Sequence, residues 1–181
     1  MESLVIEETI IPGCYMIKPK IREDKRGRFV KTFHYGVFKD HGLEISFREE
    51  FYTTSHNRVL RGLHFQRPPH DHTKLVYCLF GRIFDTVVDL RSESTTYGRY
   101  YCCELNANSA NMLYVPRGLA HGFYVQSDIA IVVYNVSTVH SPDYDDGIRW
   151  DSVDVPWPDE NPILSDRDKN FTKLINFITP F

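Results

Sequence analysis

The segment KLVYCLFGRIFDTVVDL, residues 74–90, consists of two short runs of aliphatic, aromatic and β-branched residues separated by Gly81. Runs of this length and composition predict β-strands when turn residues bound them. We therefore predict one strand over residues 74–80 and a second over residues 82–90. This stretch indicates a fold that is built from strands.

Similar segments lie on both sides of this stretch, and turn residues such as Pro68, Gly98 and Asn108 separate them. Further strands are predicted over residues 28–35, 59–66, 99–105, 112–115, 122–126 and 129–137. Several short strands without helical patterns between them predict an all-β sandwich or jelly roll. Short peripheral helices are predicted at residues 36–44 and 165–178, and a loop over residues 141–161.

Length and composition limit the class of protein. The 181 residues predict a single domain over 1–181, and 42% hydrophobic with 25% charged residues is typical of a globular protein. A formal net charge of −3 gives no indication of a nucleic-acid or membrane partner. The acidic N-terminus is unlike a signal peptide, and we expect four reduced cysteines and a cytoplasmic location.

Four of the eight histidines lie within patterns that carry chemical information. The segment 116–121, which ends at His121, resembles the second cupin motif, and His70-Asp71-His72 resembles the first. These resemblances imply an all-β, cupin-type jelly-roll barrel with His121 in its mouth. The other histidines are isolated near turns or strand ends, and we expect surface or structural roles for them: His34, His41, His56 and His140.

One alternative is a metal-dependent cupin, a dioxygenase or isomerase that uses His70, His72 and His121, since three histidines can hold a metal. Metal-binding cupins carry a glutamate a few residues after the first histidine pair. Residues 73–78 contain no carboxylate, and the cation of Lys74 disfavours a divalent ion. We therefore expect no metal and no other cofactor.

Six sequence blocks in register resemble the dTDP-4-dehydrorhamnose 3,5-epimerase family from about residue 8 to residue 170. The blocks are RGLHFQ (61–66) followed by KLV (74–76), GRIFDTVVDLR (81–91), GLAHGF (118–123), GIRW (147–150), PILSDRD (162–168) and DKRGRF (24–29). The resemblance implies an isomerase that inverts C3, C5 or both in a nucleotide-linked 4-keto-6-deoxy sugar. It also implies a role in deoxysugar biosynthesis for surface polysaccharide.

The resemblance assigns the proton-transfer groups. It implies that His64 removes the proton next to the ketone and that Asp168 orients this histidine. Imidazole, with an ordinary pKa of about 6.5, can accept a proton near neutral pH. Tyr134 matches the donor on the opposite sugar face, and Lys74 matches the cation that stabilises the enolate oxygen at C4.

The resemblance also assigns substrate contacts. Arg26 and Arg61 match positions that hold the phosphates, and His121 lines the mouth of the same barrel. Asp145 and Arg167 replace a glutamate and a lysine that are usual in the family. The family further implies a homodimer with an exchanged N-terminal strand, which brings Arg26 into the barrel of the neighbour.

The chain departs from the family pattern around these residues. Where Gln-x-Asn-x-Ser is usual before the base, residues 49–53 read EEFYT, and Lys31 replaces a glutamate. His70 and His72 replace residues that are not histidine in the typical member. These departures raise a second alternative, an epimerase-like enzyme that is specific for a GDP- or CDP-linked 4-keto sugar. Two further alternatives are a sugar-nucleotide binding protein and a 3,4-ketoisomerase.

Overall fold

Two antiparallel sheets form the body of the computed structural model, which describes residues 4–181. The larger sheet has the strand order β1 (Leu4–Glu8), β2 (Tyr15–Pro19), β10 (Met112–Val115), β7 (Lys74–Phe80), β12 (Ile129–Val136) and β5 (Glu49–His56). The smaller sheet has the order β13 (Asp145–Gly147), β6 (Leu60–Gln66), β11 (Leu119–Val125), β8 (Arg82–Asp89) and β9 (Tyr100–Asn106). The all-β prediction is therefore confirmed.

A separate ribbon and two short helices complete the chain. Strands β3 (Ile21–Asp24) and β4 (Gly27–Val30) pair only with each other among the described residues. The helices are α1 (Tyr35–Asp40) and α2 (Asp166–Lys169), and single 3-10 turns lie at Pro142–Tyr144, Trp150–Ser152 and Leu174–Asn176. Within residues 4–181, every helix is too short or too polar to span a lipid bilayer.

The stretch 74–90 forms the two predicted strands, and each strand belongs to a different sheet. Gly81 lies between them with a φ of +80°, a conformation that residues with a side chain rarely adopt. A Cβ atom at this position would lie 2.2 Å from the carbonyl oxygen of Ile129. Only glycine therefore fits at the corner where the chain passes from one sheet to the other.

The strands predicted at 59–66, 99–105, 112–115 and 129–137 are present with bounds that differ by at most one residue. Strand β11 begins at Leu119, three residues before its predicted start. The apolar core explains this agreement for most of these strands, because they bury residues on both faces and therefore read as continuous apolar runs. The edge strand β9 is only partly buried, and its aromatic and cysteine residues carry the pattern. Phe123, Leu105 and Val87, for example, are fully buried between the sheets.

Two predictions near the N-terminus were wrong in their bounds. The strand predicted at 28–35 ends at Val30, and helix α1 begins at Tyr35 and ends at Asp40 instead of spanning 36–44. His34 is the reason for the early start, because its side chain accepts a hydrogen bond from the Val37 N–H and so caps the helix. Gly42, with a φ of +67°, follows the early end.

The C-terminal prediction was also wrong in part. Residues 165–178 contain only the four-residue α2 and one 3-10 turn, although Ser165 caps α2 as its sequence suggested. Leu174 and Phe177 pack against the core around the 3-10 turn, whereas Ile175 and Ile178 are 87% and 92% exposed. Only part of the apolar pattern that suggested a helix is therefore buried, which leaves little packing to stabilise a longer helix. The segment 141–161, predicted as loop, contains β13 and two 3-10 turns.

Candidate active site

A cavity of about 370 Å³ opens between the two sheets. From the smaller sheet, its wall contains Arg61, His64, Phe65, Gln66, His121 and Asp145. From the larger sheet, its wall contains Glu49, Phe51, Thr53, Lys74, Tyr134 and Val136. His72, His140 and Arg167 line it from segments outside these strands. Every site residue that the sequence suggested is therefore at or beside this cavity, except Arg26.

His64 and Asp168 form a hydrogen-bonded pair, although they lie 104 positions apart in the sequence. His64 Nε2 lies 2.8 Å from Asp168 Oδ1, and the other carboxylate oxygen accepts the N–H of Gly62 at 3.2 Å. Burial alone would raise the pKa of Asp168, but these hydrogen bonds lower it below its usual range. The carboxylate is ionised, so Nε2 donates to it and Nδ1 of His64 is free to accept a proton.

The position of His64 depends on a close approach between β6 and β11. A Cβ atom on Gly62, whose φ is +138°, would lie 2.6 Å from the Cα of Gly122. Only glycine permits this contact. His64 and His121 are register partners in the two strands, so the contact fixes both imidazoles relative to each other.

Tyr134 lies on the opposite wall of the cavity from His64, since β12 belongs to the larger sheet and β6 to the smaller. Its side chain is buried, and burial together with the charge of Asp85 raises its pKa. The phenol therefore keeps its proton at neutral pH. The ring of Phe51 stacks on that of Tyr134 with centroids 4.8 Å apart and planes within 16°, which restricts the orientation of the phenol.

Lys74 connects the two walls. It begins β7 in the larger sheet, and its Nζ donates to the backbone oxygen of His64 in the smaller sheet at 3.0 Å. Burial lowers the pKa of Lys74 to about 8, although the carboxylates of Asp145 and Asp85 act in the opposite direction. The ammonium is therefore mostly charged at pH 7 and is poorly solvated, which strengthens its attraction for a negative oxygen.

Asp85 is a site residue that the sequence analysis did not identify. It is fully buried on β8, and its carboxylate oxygens lie 2.9 and 3.1 Å from Nε2 of His121, which is 3% exposed. Burial raises the pKa of Asp85, and the nearby His121 and Lys74 oppose this rise. The available signal was the interruption of the apolar run of β8 by Asp85, because a buried carboxylate needs a partner.

Three of the predicted substrate contacts lie at the rim of the cavity. Arg61 donates from Nε to Ser55 Oγ at 2.9 Å. Asp145 and Arg167 pair with each other, with Oδ2 and Nη1 2.8 Å apart. The Arg167 guanidinium also lies 5.2 Å from the ring centroid of Phe171, next to His64. The rim therefore presents two arginines beside a carboxylate.

Arg26 is the predicted contact that the structure does not bring to the cavity of its own chain. It lies on the β3–β4 ribbon, its side chain is 83% exposed, and it pairs with Asp24 at 2.6 Å. The neighbouring Arg28 instead donates to the backbone oxygens of Ala107 and Asn108. The expectation that Arg26 contacts the substrate in the barrel of a neighbouring subunit stays a prediction.

Several further lining residues were missed because β5 was not predicted. Its sequence EEFYTTSH is too polar to resemble a buried strand, yet alternation places Glu49, Phe51 and Thr53 on the cavity side. His140, expected to have only a surface or structural role, lines the cavity and is also exposed. Its backbone N–H donates to Glu49 Oε2 at 2.7 Å.

The three histidines of the metal alternative have different partners. His121 is bonded to Asp85, and the ring of His70 packs on Tyr144 with centroids 4.5 Å apart. His72 is bonded to Gln66. In the part of the chain that the structure describes, no three His, Cys, Asp or Glu side chains converge as metal ligands. The geometry does not favour this alternative.

Comparisons with known proteins agree with this architecture. The chain is 40% identical over 172 residues to the dTDP-4-dehydrorhamnose 3,5-epimerase of Methanothermobacter thermautotrophicus, covering 92% of each. It is 38% identical over 172 residues to the enzyme of that name from Shigella flexneri, covering 93% of this chain and 95% of the relative. The crystal structure of dTDP-6-deoxy-D-glucose-3,5-epimerase from Legionella pneumophila, in complex with dTDP-4-keto-L-rhamnose, matches with a TM-score of 0.92 and 31% identity over 97% of this chain and 95% of that one.

The two antiparallel sheets match the cupin-type jelly roll of these epimerase structures, so the fold prediction is confirmed. The model of the dTDP-4-dehydrorhamnose 3,5-epimerase family matches residues 8–176. The chain belongs to this family.

The buried position of Lys74 predicts an unusual titration. In lysine-labelled protein, the ¹³Cε resonance of Lys74 should titrate with a midpoint at about pH 8, against about 10.4 for an exposed lysine. The Asp85→Asn variant should shift this midpoint to lower pH, because the variant lacks a negative charge that stabilises the ammonium. Asp166→Asn, a change at a side chain that is 94% exposed, should have no effect. A wild-type midpoint above pH 10 would contradict the argument.

Proposed function

We propose that this protein is a dTDP-4-dehydrorhamnose 3,5-epimerase, an isomerase that inverts C3 and C5 of a dTDP-linked 4-keto-6-deoxy sugar. One observation carries the proposal. The His64–Asp168 pair and the protonated Tyr134 lie on facing walls of one cavity, with the Lys74 ammonium between those walls. Inversion at carbon needs a base on one face of the sugar and a proton donor on the other.

His64 is the base in this proposal. Nε2 is occupied by Asp168, so Nδ1 removes the proton from the carbon next to the ketone, and the bonding electrons move to the C4 oxygen. The imidazolium that forms is stabilised by the ionised carboxylate at 2.8 Å. His64 is 30% exposed, which permits its new proton to exchange with water.

Lys74 stabilises the enolate and Tyr134 completes the inversion. In this proposal the buried ammonium faces the C4 oxygen, where negative charge develops. A positioned charge of this kind lowers the activation barrier for enolate formation by several kcal/mol. Tyr134 then donates its proton to the opposite face of the carbon, and the phenolate recovers a proton from water. The same two groups repeat the cycle at the second carbon.

The alternatives are less well supported. The names of the curated relatives and the ligand of the Legionella pneumophila structure contain dTDP, which favours dTDP over a GDP- or CDP-linked sugar. A sugar-nucleotide binding protein needs neither a base nor a donor. The geometry around His70, His72 and His121 does not favour a metal-dependent cupin.

We also propose a cytoplasmic homodimer in which the β3–β4 ribbon is exchanged. Strand β5 is an edge of the larger sheet and exposes Tyr52 at 68%, and the end of β7 exposes Leu79 and Phe80 at 61% and 58%. An open strand edge and these exposed apolar side chains support association with a second copy. Strand β1 pairs with β2 of its own chain, so the ribbon is the better candidate for exchange. All four cysteines are free thiols, which supports a reducing compartment.

Deuterium exchange tests the base. Wild-type protein with dTDP-4-keto-6-deoxy-D-glucose in deuterated water should introduce deuterium at C3 and C5, measured by proton NMR. His64→Ala should lower this exchange by about 1000-fold and Asp168→Asn by about 100-fold, because general-base catalysis contributes effects of this size. His56→Ala, a change at an exposed residue outside the cavity, is the control. Normal exchange in His64→Ala would refute the assignment, and no exchange by wild type would refute the function.

Tyr134→Phe separates deprotonation from inversion. His64 remains intact in this variant, so it should still remove a proton and return deuterium to the same face. Inversion should fall by at least about 100-fold because the opposite face has no donor. The readout is deuterium at C3 in unepimerised sugar, by proton NMR. A proportional loss of exchange and inversion would show that Tyr134 is not the donor.

Subunit complementation tests the place of Arg26. We expect Arg26→Ala and His64→Ala homodimers to be inactive at low substrate concentration. If Arg26 contacts substrate in the partner's cavity, a mixed dimer has one intact site. One-to-one co-expression makes about half of the dimers mixed, so it should restore roughly a quarter of wild-type activity. If Arg26 serves its own chain, every site in the mixed dimer is defective. No recovery, with mixed dimers detected by mass spectrometry, would contradict the exchanged ribbon.

A further inference from the structure

His72 lines the cavity without a role in the mechanism above. It precedes the first residue of β7 by two positions, on the same side as Lys74, and its ring is partly buried. What this ring offers to a ligand depends on which of its two nitrogens carries the hydrogen. Its neighbours decide the question.

Gln66 has a fixed amide orientation. The backbone N–H of Ser141 donates to Gln66 Oε1 at 2.6 Å, so this oxygen is identified as the acceptor. The nitrogen Nε2 is then the donor, and it lies 2.8 Å from the backbone oxygen of His70 and 3.2 Å from His72 Nδ1. An amide nitrogen has no lone pair to accept with, so His72 Nδ1 accepts in this contact.

The second neighbour of Nδ1 is the hydroxyl of Thr138 at 3.3 Å. This hydroxyl donates its hydrogen to the backbone oxygen of His70 at 2.9 Å, so the donor to Nδ1 is the Gln66 amide at 3.2 Å. Nδ1 therefore has no hydrogen, and the neutral ring carries its hydrogen on Nε2. Among residues 4–181, no atom forms a hydrogen bond with Nε2. Nε2 is also not among the fully buried polar atoms that lack a partner, so it remains accessible. The N–H group is open to the cavity.

The ring stays neutral near physiological pH. Burial lowers the pKa of His72 to about 3, and the positive charges of Lys74 and Arg117 act in the same direction. His72 is therefore a neutral donor beside a charged lysine. These cations cannot accept its N–H, so the matching group on a ligand is an oxygen with a lone pair.

We propose that His72 is a substrate-binding residue whose Nε2–H donates to an oxygen of the sugar nucleotide, either a diphosphate oxygen or a sugar oxygen. This inference rests on the proposed function for the identity of the ligand. It gives a role to one of the histidines by which this chain departs from the family pattern. The Gln66 amide is the positioning group, because it fixes the tautomer.

Two substitutions separate binding from a structural role. His72→Asn keeps a polar atom near the position of Nδ1, so it preserves the contact with Gln66 but lacks a donor that reaches the ligand. His72→Gln places its amide nitrogen near the position of Nε2, so it preserves the donor. His70→Asn, a change at the neighbouring histidine that does not line the cavity, is the control.

The affinities for dTDP and for dTDP-4-keto-L-rhamnose, measured by calorimetry, provide the test. His72→Asn should weaken binding by about tenfold, the effect of one lost hydrogen bond, with kcat nearly unchanged, and His72→Gln should stay within about threefold of wild type. Weaker binding of both ligands assigns the contact to the nucleotide diphosphate, and weaker binding of the sugar nucleotide alone assigns it to the sugar. Wild-type affinity in His72→Asn, or equal losses in both variants, would overturn the proposal.

A second measurement does not depend on the substrate. Long-range ¹⁵N–¹H correlation spectra of the free protein should show His72 as the neutral Nε2–H tautomer at every pH between 5 and 8, and Gln66→Leu should allow the other tautomer. An Nδ1–H tautomer or an imidazolium in the wild type would overturn the inference. If no sugar nucleotide undergoes deuterium exchange, the proposed function is refuted. The tautomer of His72 is measured in the free protein, so its result is independent of that outcome.

Discussion

The burial of charge between the two sheets is the constraint on which the site depends. Lys74, Asp85 and His121 are all less than a tenth exposed, and charged groups are costly to remove from water unless they find partners. Each of them has one: Asp85 bonds to His121, and the Lys74 ammonium bonds to the backbone of His64. These paired groups lie beside the largely apolar core that packs between the sheets, so the site combines buried charges with an apolar surrounding.

In the proposed mechanism, the same arrangement separates two proton transfers. Strand β6 carries His64 in one sheet and β12 carries Tyr134 in the other, so the cavity between the sheets separates the proposed base from the proposed donor. Neither side chain has to move across the substrate. The environment of each side chain also suits its proposed role. The carboxylate of Asp168 stabilises an imidazolium at His64, whereas burial keeps the phenol of Tyr134 protonated.

The sequence motifs identified most of the site, since His64, Lys74, His121, Tyr134 and Asp168 all lie at the cavity or pair with a residue that does. Strand patterns were reliable wherever both faces are buried. They failed for β1, β2 and β5, which lie at or next to the edges of the larger sheet and include charged residues such as Glu7, Lys18 and Glu49. The edge strand β9 was still predicted, because aromatic residues and cysteines begin it. Asp85 was missed because its importance arises from a cross-strand partner, 36 residues away by residue number, that no local pattern reveals.

The hydrogen bond from Lys74 to the His64 backbone has a consequence for how a substrate is oriented. It joins two residues of different sheets, with a link of 3.0 Å between the ammonium and a main-chain oxygen. In the proposed mechanism, the ketone oxygen stays at Lys74 while a neighbouring carbon faces His64. The two carbons next to a ketone are at the same distance from its oxygen. The one fixed spacing between cation and imidazole therefore suits both C3 and C5, and the sugar only has to change the carbon that it presents.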